Sequence, residues 1–417
     1  MNTAMLERRA NLLGPSYRLF YDEPVHLVRG EGVWLWDADG KRYLDMYNNV
    51  PCVGHCHPRV VAALTKAAST LNTHTRYLHD GVLTLAERLL ATMPTELGHV
   101  MFTCTGSEAN DLAIRVSKAA TGGTGVIVTA NAYHGVTELI SGMSPSLGAG
   151  VPLGAGVYVV PAPHIGGGNA VGEDFADGVR AALARMAADG IKPAALLVDT
   201  LFSSDGMVCD PGGFLASAVA AFRAAGGVFI ADEVQPGFGR TGVMWGFMRH
   251  GLVPDLVTMG KPMGNGHPIA AMAARPDVLA NFAKSARYFN TFGGNTVSTA
   301  VAGAVLDVIE NEGLIENAAT MGAYLLAGVR ALGSARFGNV RGAGLYLGVD
   351  IITASGAPDA DAAKRIVNGM RGKGVLIGSA SPAGNALKIR PPLPIDRAAA
   401  DFFLTALGDT LAALGAH

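Results

Sequence analysis

Charge is scarce in this chain. Only 16% of its 417 residues are Asp, Glu, Lys or Arg, and 32 basic residues stand against 34 acidic ones for a net charge of −2. No basic block occurs, so neither nucleic acid nor an anionic membrane surface is expected as a partner. Cysteine is scarcer still. Four residues, Cys52, Cys56, Cys104 and Cys209, are too few to staple a chain of this length, and a reducing cytoplasm is the expected setting. No apolar run reaches about 18 residues, so no transmembrane helix is expected. The opening MNTAMLERRANLLGPSYRLF lacks the apolar core and small-residue cleavage site of a secretory signal.

Apolar side chains are abundant, at 49%, and so is glycine, with 55 residues spread along the chain without a repeat. The first supports a large buried core and argues against disorder. The second suits an α/β protein with many tight loops and excludes a collagen-like one. The length fits one large domain and a smaller one.

VWLWDADGKRYLD (33–45) reads as two strands around Asp39-Gly40, a turn whose central residues would need φ > 0. A helix is expected from Pro58, with proline suited to its first turn. Short apolar runs then recur between turn residues: VMFTC (100–104), VIVT (126–129), VYVV (157–160), ALLVD (195–199), VFIAD (228–232) and LVTMG (256–260). Helical stretches separate several of them, and Ala109, Leu112, Ala113 and Val116 share one helical face. This is the pattern of buried parallel strands in a helix-covered sheet. Near residue 315 the pattern changes to helices and short strands, including LYLGVDII (345–352). The expected architecture is α/β: a large domain over 49–315, and a smaller α+β domain combining the N-terminal segment 1–48 with 316–417.

Three segments carry chemistry. TGSEANDLAIR (105–115) follows a strand and opens a helix. Gly106 admits close approach of an anion, Ser107 supplies a hydroxyl, and the helix N-terminus favours a phosphate. The ordinary alternative is a plain cap built on Ser107. VFIADEVQPGFGRTG (228–242) ends a buried strand in carboxylates, at the edge where open α/β sheets bind ligands. Asp232 there needs a cationic partner, either a protonated ring nitrogen or a structural arginine such as Arg240. In LVTMGKPMGNGHP (256–268), Lys261 follows a strand within an apolar turn. Partial burial there would lower its pKa and suit it to Schiff-base chemistry; the alternative is a lysine snorkelling at the surface. CVGHCHP (52–58) offers Cys52, His55, Cys56 and His57 as zinc ligands. Three of the four are consecutive, which hinders tetrahedral coordination, and no metal is expected. GGGN (166–169) lacks the order of a dinucleotide fingerprint.

Taken together, TGSEAND, AYHG (132–135), DEVQ (232–235), GKPMGNGHP (260–268) and TFGGN (291–295) resemble the class III aminotransferases, fold type I pyridoxal-phosphate enzymes with a mostly parallel central sheet flanked by helices. The resemblance runs from about Tyr21 to the C-terminus. NTHTRYLHD (72–80) and VTMGKPMGNGHP are most similar to the branch containing the ethanolamine-phosphate phospho-lyases.

The resemblance implies a role for each matching residue. Lys261 holds pyridoxal 5'-phosphate as a Schiff base. Asp232 keeps the pyridine nitrogen protonated. Gln235 reaches the phenolic oxygen. Tyr133 stacks on the ring with His134 beside it, and Val234 packs on the opposite face. Gly106 and Ser107 hold the phosphate, and Thr291 reaches the phosphate of the other subunit in a homodimer. Arg390 in KIRPPL (388–393) matches the family's carboxylate-binding arginine, a position where the phospho-lyase branch tends to carry lysine. Asp199 stands where the family usually has a glutamate, one methylene longer. Tyr17, Tyr21, Tyr47, Val50 and Tyr77 are pocket candidates, although such residues are more often core.

The activity implied is transamination of a primary amine or ω-amino acid. Lys261 moves the proton next to the amine carbon, and a keto acid such as pyruvate takes the amino group in a second, ping-pong half-reaction. The alternative is elimination of phosphate from a phosphorylated amino alcohol such as phosphoethanolamine, for which Arg76 and His79 could supply extra positive charge. A nicotinamide-dependent oxidoreductase or a non-catalytic α/β binding protein is the reading from outside the family.

Overall fold

The computed structural model describes residues 3–163 and 170–415, so GGGN (166–169) lies outside the described residues. Near the N-terminus, β1 (Leu27–Glu31), β2 (Trp34–Asp37) and β3 (Arg42–Asp45) form an antiparallel meander. The β2–β3 turn departs from the expected one. Gly40 has φ +82, but Asp39 is not at positive φ. Asp37 Oδ1 instead accepts from the backbone N–H groups of Asp39 (3.1 Å) and Lys41 (2.8 Å). A side chain that mimics a backbone turn relieves the second residue of a left-handed conformation.

The central sheet has seven strands: β4 (His99–Thr103), β5 (Gly125–Thr129), β6 (Val157–Val160), β7 (Pro193–Asp199), β8 (Val228–Asp232), β9 (Leu256–Met259) and β10 (Ala270–Ala274). Their order is β4-β10-β9-β8-β7-β5-β6. From β6 to β9 every pairing is parallel, while β10 runs antiparallel to both β9 and β4. Sequence periodicity misses β10, because AAMAA carries none of the β-branched or aromatic residues that mark a strand. All five of its residues are fully buried.

Three neighbouring parallel strands end in register. Asp199 pairs with Asp232, and Asp232 with Thr258. Lys261 follows two residues after β9. The carboxyl edge of β7, β8 and β9 therefore brings two carboxylates and a lysine together from segments about 30 residues apart in sequence, as open α/β sheets do for ligands. The strands are anchored from within. Phe229 and Ile230 are fully buried, each worth about 1.5–3 kcal/mol by area removed from water.

The C-terminal part adds β11 (Phe337–Ala343), β12 (Tyr346–Ile351), β13 (Val375–Leu376), β14 (Gly378–Ala380) and β15 (Ala386–Ile389). β13 joins the N-terminal meander by pairing parallel to β3, and the other four form an antiparallel sheet of order β11-β12-β15-β14. Arg390 leaves the end of β15, its backbone N–H donating to Met46 O at 2.7 Å. That bond holds the C-terminal sheet against the N-terminal segment beside the β8 edge.

Candidate functional site

A cavity of about 270 Å³ opens at this edge, close to the lower end of small-molecule pockets, about 300 Å³. Its floor is the start of the helix Gly106–Thr121. Thr105 is the N-cap and forms a capping box with Glu108, so Ser107 is not the cap. Ser107 Oγ instead accepts from Val136 N–H at 3.1 Å. Among the described residues, the N–H groups of Gly106 and Ser107 have no protein partner. Two unpaired donors at a helix N-terminus suit a phosphate group. The close approach depends on glycine. A Cβ on Gly106 would lie 2.9 Å from both Val234 methyls, and one on Gly135 (φ +137) would lie 2.4 Å from Ser107 Oγ.

Asp232 lies deeper, 4% exposed. Its Oδ2 is 2.7 Å from His134 Nδ1 and accepts from Asn110 Nδ2 at 3.0 Å, while Oδ1 accepts from Val234 N–H at 3.1 Å. A carboxylate only accepts, so His134 presents Nδ1–H to it. Nε2 of His134 is buried without a partner among the described residues. Asn110 is itself fixed, accepting from Thr258 Oγ1 at 2.6 Å and donating to His134 O at 2.8 Å. Arg240, the structural arginine considered for Asp232, donates to the carbonyls of Leu345 and Pro391 instead. Asp232 thus keeps an acidic group next to the cavity without a guanidinium to neutralise it.

Lys261 lines the cavity, and its Nζ makes no hydrogen bond among the described residues. The Nζ lies 5.9 Å from the ring centre of Tyr133. Burial holds the amine below the usual lysine range; Arg390 adds to the effect, and Asp232 and Asp199 oppose it. A half-buried amine of lowered pKa, without a hydrogen-bond partner among the described residues, is a nucleophile available to a carbonyl.

The cavity also brings in Val50, Tyr133, His134, Asp199, Val234 and Gln235. Arg390 is buried just behind Gln235, its Nη1 donating to Gln235 Oε1 at 2.8 Å. Asp199 does not reach Arg390. Its carboxylate accepts from the backbone N–H groups of Leu201 (3.0 Å) and Ser203 (3.1 Å) in its own turn. The other candidates stand elsewhere. Tyr21 donates its hydroxyl to Ile377 O at 3.0 Å. Tyr77 is exposed and stacks on His74. Tyr17 is exposed, and Tyr47 lies under Arg390. Thr291 is exposed, in the segment between the helices Pro276–Ser285 and Thr296–Asn311. Arg76 lies over the Phe289 ring at 3.8 Å, and His79 caps the helix Asp80–Ala91. The CVGHCHP side chains serve separate partners: Cys52 the carbonyl of Pro262, His55 Asp45, and His57 Glu312.

Sequence reasoning missed Asn110, Thr258 and Lys388. Asn110 sits on the apolar face with Ala109, Leu112 and Ala113, and a polar residue on such a face was the available signal. Lys388 had none. Its Nζ is buried and donates to Ser203 O at 2.9 Å, and desolvation holds it well below the usual range.

The family model for aminotransferase class-III matches residues 20–411. An "alanine–glyoxylate aminotransferase 2-like" protein of Drosophila melanogaster is 39% identical, over 99% of this chain and 87% of the relative. An "ethanolamine-phosphate phospho-lyase homolog 1" of Caenorhabditis elegans is 34% identical, over 93% of this chain and 89% of the relative. A solved phospholyase from Arthrobacter, in complex with phosphoethanolamine, is 42% identical with a TM-score of 0.95, covering 98% of this chain and 99% of that one. The chain therefore belongs to the class III aminotransferases, is an enzyme of fold type I, and takes pyridoxal phosphate as its cofactor.

Proposed function

We propose that the chain is an aminotransferase that moves an amino group from a small primary amine or ω-amino acid to a keto acid such as pyruvate. Bound pyridoxal phosphate supplies an electron sink for the carbon that loses its proton. The rest falls to this chain's residues. Lys261 holds the cofactor and carries the proton. Asp232, oriented by His134 and Asn110, holds a proton on the ring nitrogen. Tyr133 and Val234 enclose the ring, Gln235 donates to its phenolic oxygen, and Gly106 and Ser107 bind the phosphate. Arg390 receives the substrate's carboxylate, with Val50 lining the approach. Tyr21 and Tyr77 act on substrate only if a second subunit or a closing motion brings them in.

The observation that carries the reading is the state of Arg390. The guanidinium is buried beside the cavity, faces no carboxylate within ion-pair distance among the described residues, and is held by a neutral oxygen. A planar fork left in that state suits the carboxylate of a keto acid. The test is an amine-donor screen with pyruvate, expected to give alanine with ping-pong kinetics.

A second reading, phosphate elimination, is favoured by the likeness to the Arthrobacter phospholyase. Arg76 and His79 lie outside this chain's own cavity, so they would serve elimination only across the subunit interface. Phosphoethanolamine supplied without keto acid separates the two: rapid release of phosphate and acetaldehyde, with no alanine from any amine, would replace transamination by elimination.

The active unit in this account is a homodimer, with Thr291 reaching the other subunit's phosphate. Its setting is the cytoplasm, in keeping with four free thiols. Among the described residues no helix is long and apolar enough to cross a membrane.

A further inference from the structure

The bond between Arg390 and Gln235 has a consequence for the cofactor as well as the substrate. Gln235 is 8% exposed and lines the cavity. Its amide can face either way by shape alone, because oxygen and nitrogen are nearly isosteric. Its neighbours decide. The Arg390 guanidinium can only donate, so the group 2.8 Å from Nη1 must be the oxygen. The Tyr346 hydroxyl donates to the same oxygen at 3.4 Å. The amide nitrogen is thereby turned away from Arg390, and among the described residues it has no protein partner. Arg390 is itself held rigidly. Its backbone is tied to Met46, prolines follow it at 391 and 392, and its guanidinium lies 5.2 Å from the Tyr47 ring centre and 5.8 Å from that of Tyr346. Nη1 is spent on Gln235. On the other edge of the fork, Nε is buried without a partner, and among the described residues no hydrogen-bond acceptor holds Nη2.

We infer that Arg390 is a positioning residue for Gln235 as well as an anion anchor: Nη1 locks the amide so that its N–H₂ faces the cofactor's phenolic oxygen, while the Nε–Nη2 edge remains for the substrate's anionic group. This rests on the cofactor placement proposed above. Both functions coexist because they use different edges of one guanidinium. An incoming carboxylate need not displace a protein carboxylate, and it need not release Gln235.

The test is a double-substitution cycle read by the visible absorbance of the bound cofactor, titrated with pH in the absence of substrate. Gln235→Met removes the donor and should move the midpoint of that titration by about half to one pH unit. Arg390→Met should move it in the same direction by a similar amount. The doubly substituted enzyme should move no further than Gln235→Met alone, since Arg390 acts through Gln235. Arg390→Lys, which keeps a donor-only cation, should restore most of the parent midpoint and covers the case in which Arg390→Met folds poorly. Additive shifts in the double variant, or an unshifted midpoint in Gln235→Met with cofactor fully bound, would overturn the inference. Failure of borohydride to fix cofactor on Lys261 would instead overturn the cofactor placement, so the two failures are distinct.

Discussion

The imidazole of His134 and the carboxylate of Asp232 form a buried pair, Nδ1 to Oδ2 at 2.7 Å, with side chains 1% and 5% exposed. His134 and Asn110 engage one carboxylate oxygen, and among the described residues the second accepts only from Val234 N–H. Asp232→Asn keeps the shape but removes the charge. Cofactor should still bind through Lys261 and the Gly106–Ser107 cradle, while turnover falls by about a hundredfold to a thousandfold or more, the scale of a lost preorganised electrostatic partner. His134→Ala should cost less, because Asn110 still orients the carboxylate. Activity of Asp232→Asn within a few-fold of the parent would reduce Asp232 to a structural acid.

Arg390 should set the affinity for the keto acid. Arg390→Lys exchanges a planar fork for a point charge, a loss on the order of 1.5–3 kcal/mol. The Michaelis constant for pyruvate should rise roughly ten- to a hundredfold, and that for an amine without a carboxylate should rise much less. Equal increases for both would contradict carboxylate recognition by this residue.

Lys388 gives the site a pH signature independent of the cofactor. Burial holds its folded pKa well below the unfolded value of 10.5. Between those two values the native chain binds fewer protons than the unfolded one, so stability rises with pH through the window and falls as pH drops. Lys388→Met removes this contribution. In denaturant titrations at several pH values from 7 to 10, the parent should gain stability relative to the variant as pH rises. A flat or falling difference would mean that Lys388 is not desolvated in solution.

Much of this was legible in the sequence, for identifiable reasons. The strands that end at the site are apolar runs closed by a charged residue or a glycine, and Asp232 and Lys261 stand out against them. TGSEAND marks its helix start whichever residue caps it. What was hidden depends on packing. β10 is an alanine-rich strand that only its neighbours specify. Asp37 took over a turn that glycine and a left-handed aspartate were expected to make. The partners of Asp232 come from the helix Gly106–Thr121 and the AYHG segment, and the partner of Arg390 comes from the β8 edge, 155 residues away. No spacing rule anticipates such pairings.

Thr291 is exposed and does not line this chain's cavity; in the proposed homodimer it serves the other subunit's site. Mixing Thr291→Ala subunits with Lys261→Ala subunits creates hybrids in which one site carries both lesions and the other carries none. With subunit exchange established by mass spectrometry of the mixture, activity should recover measurably above either parent variant. Its absence would argue that each subunit completes its own site.

Lys261 is the proposed point of attachment for the cofactor. Two lysines of lowered pKa, the half-buried Lys261 and the buried Lys388, stand near the cavity, so the measurement has a built-in competitor. The purified protein should be yellow, and borohydride should bleach it while fixing the cofactor covalently. Peptide mapping by mass spectrometry should then find the label on the peptide containing Lys261, with Lys261→Ala abolishing both label and turnover. Label on Lys388, or full activity in a colourless Lys261→Ala protein, would contradict the account.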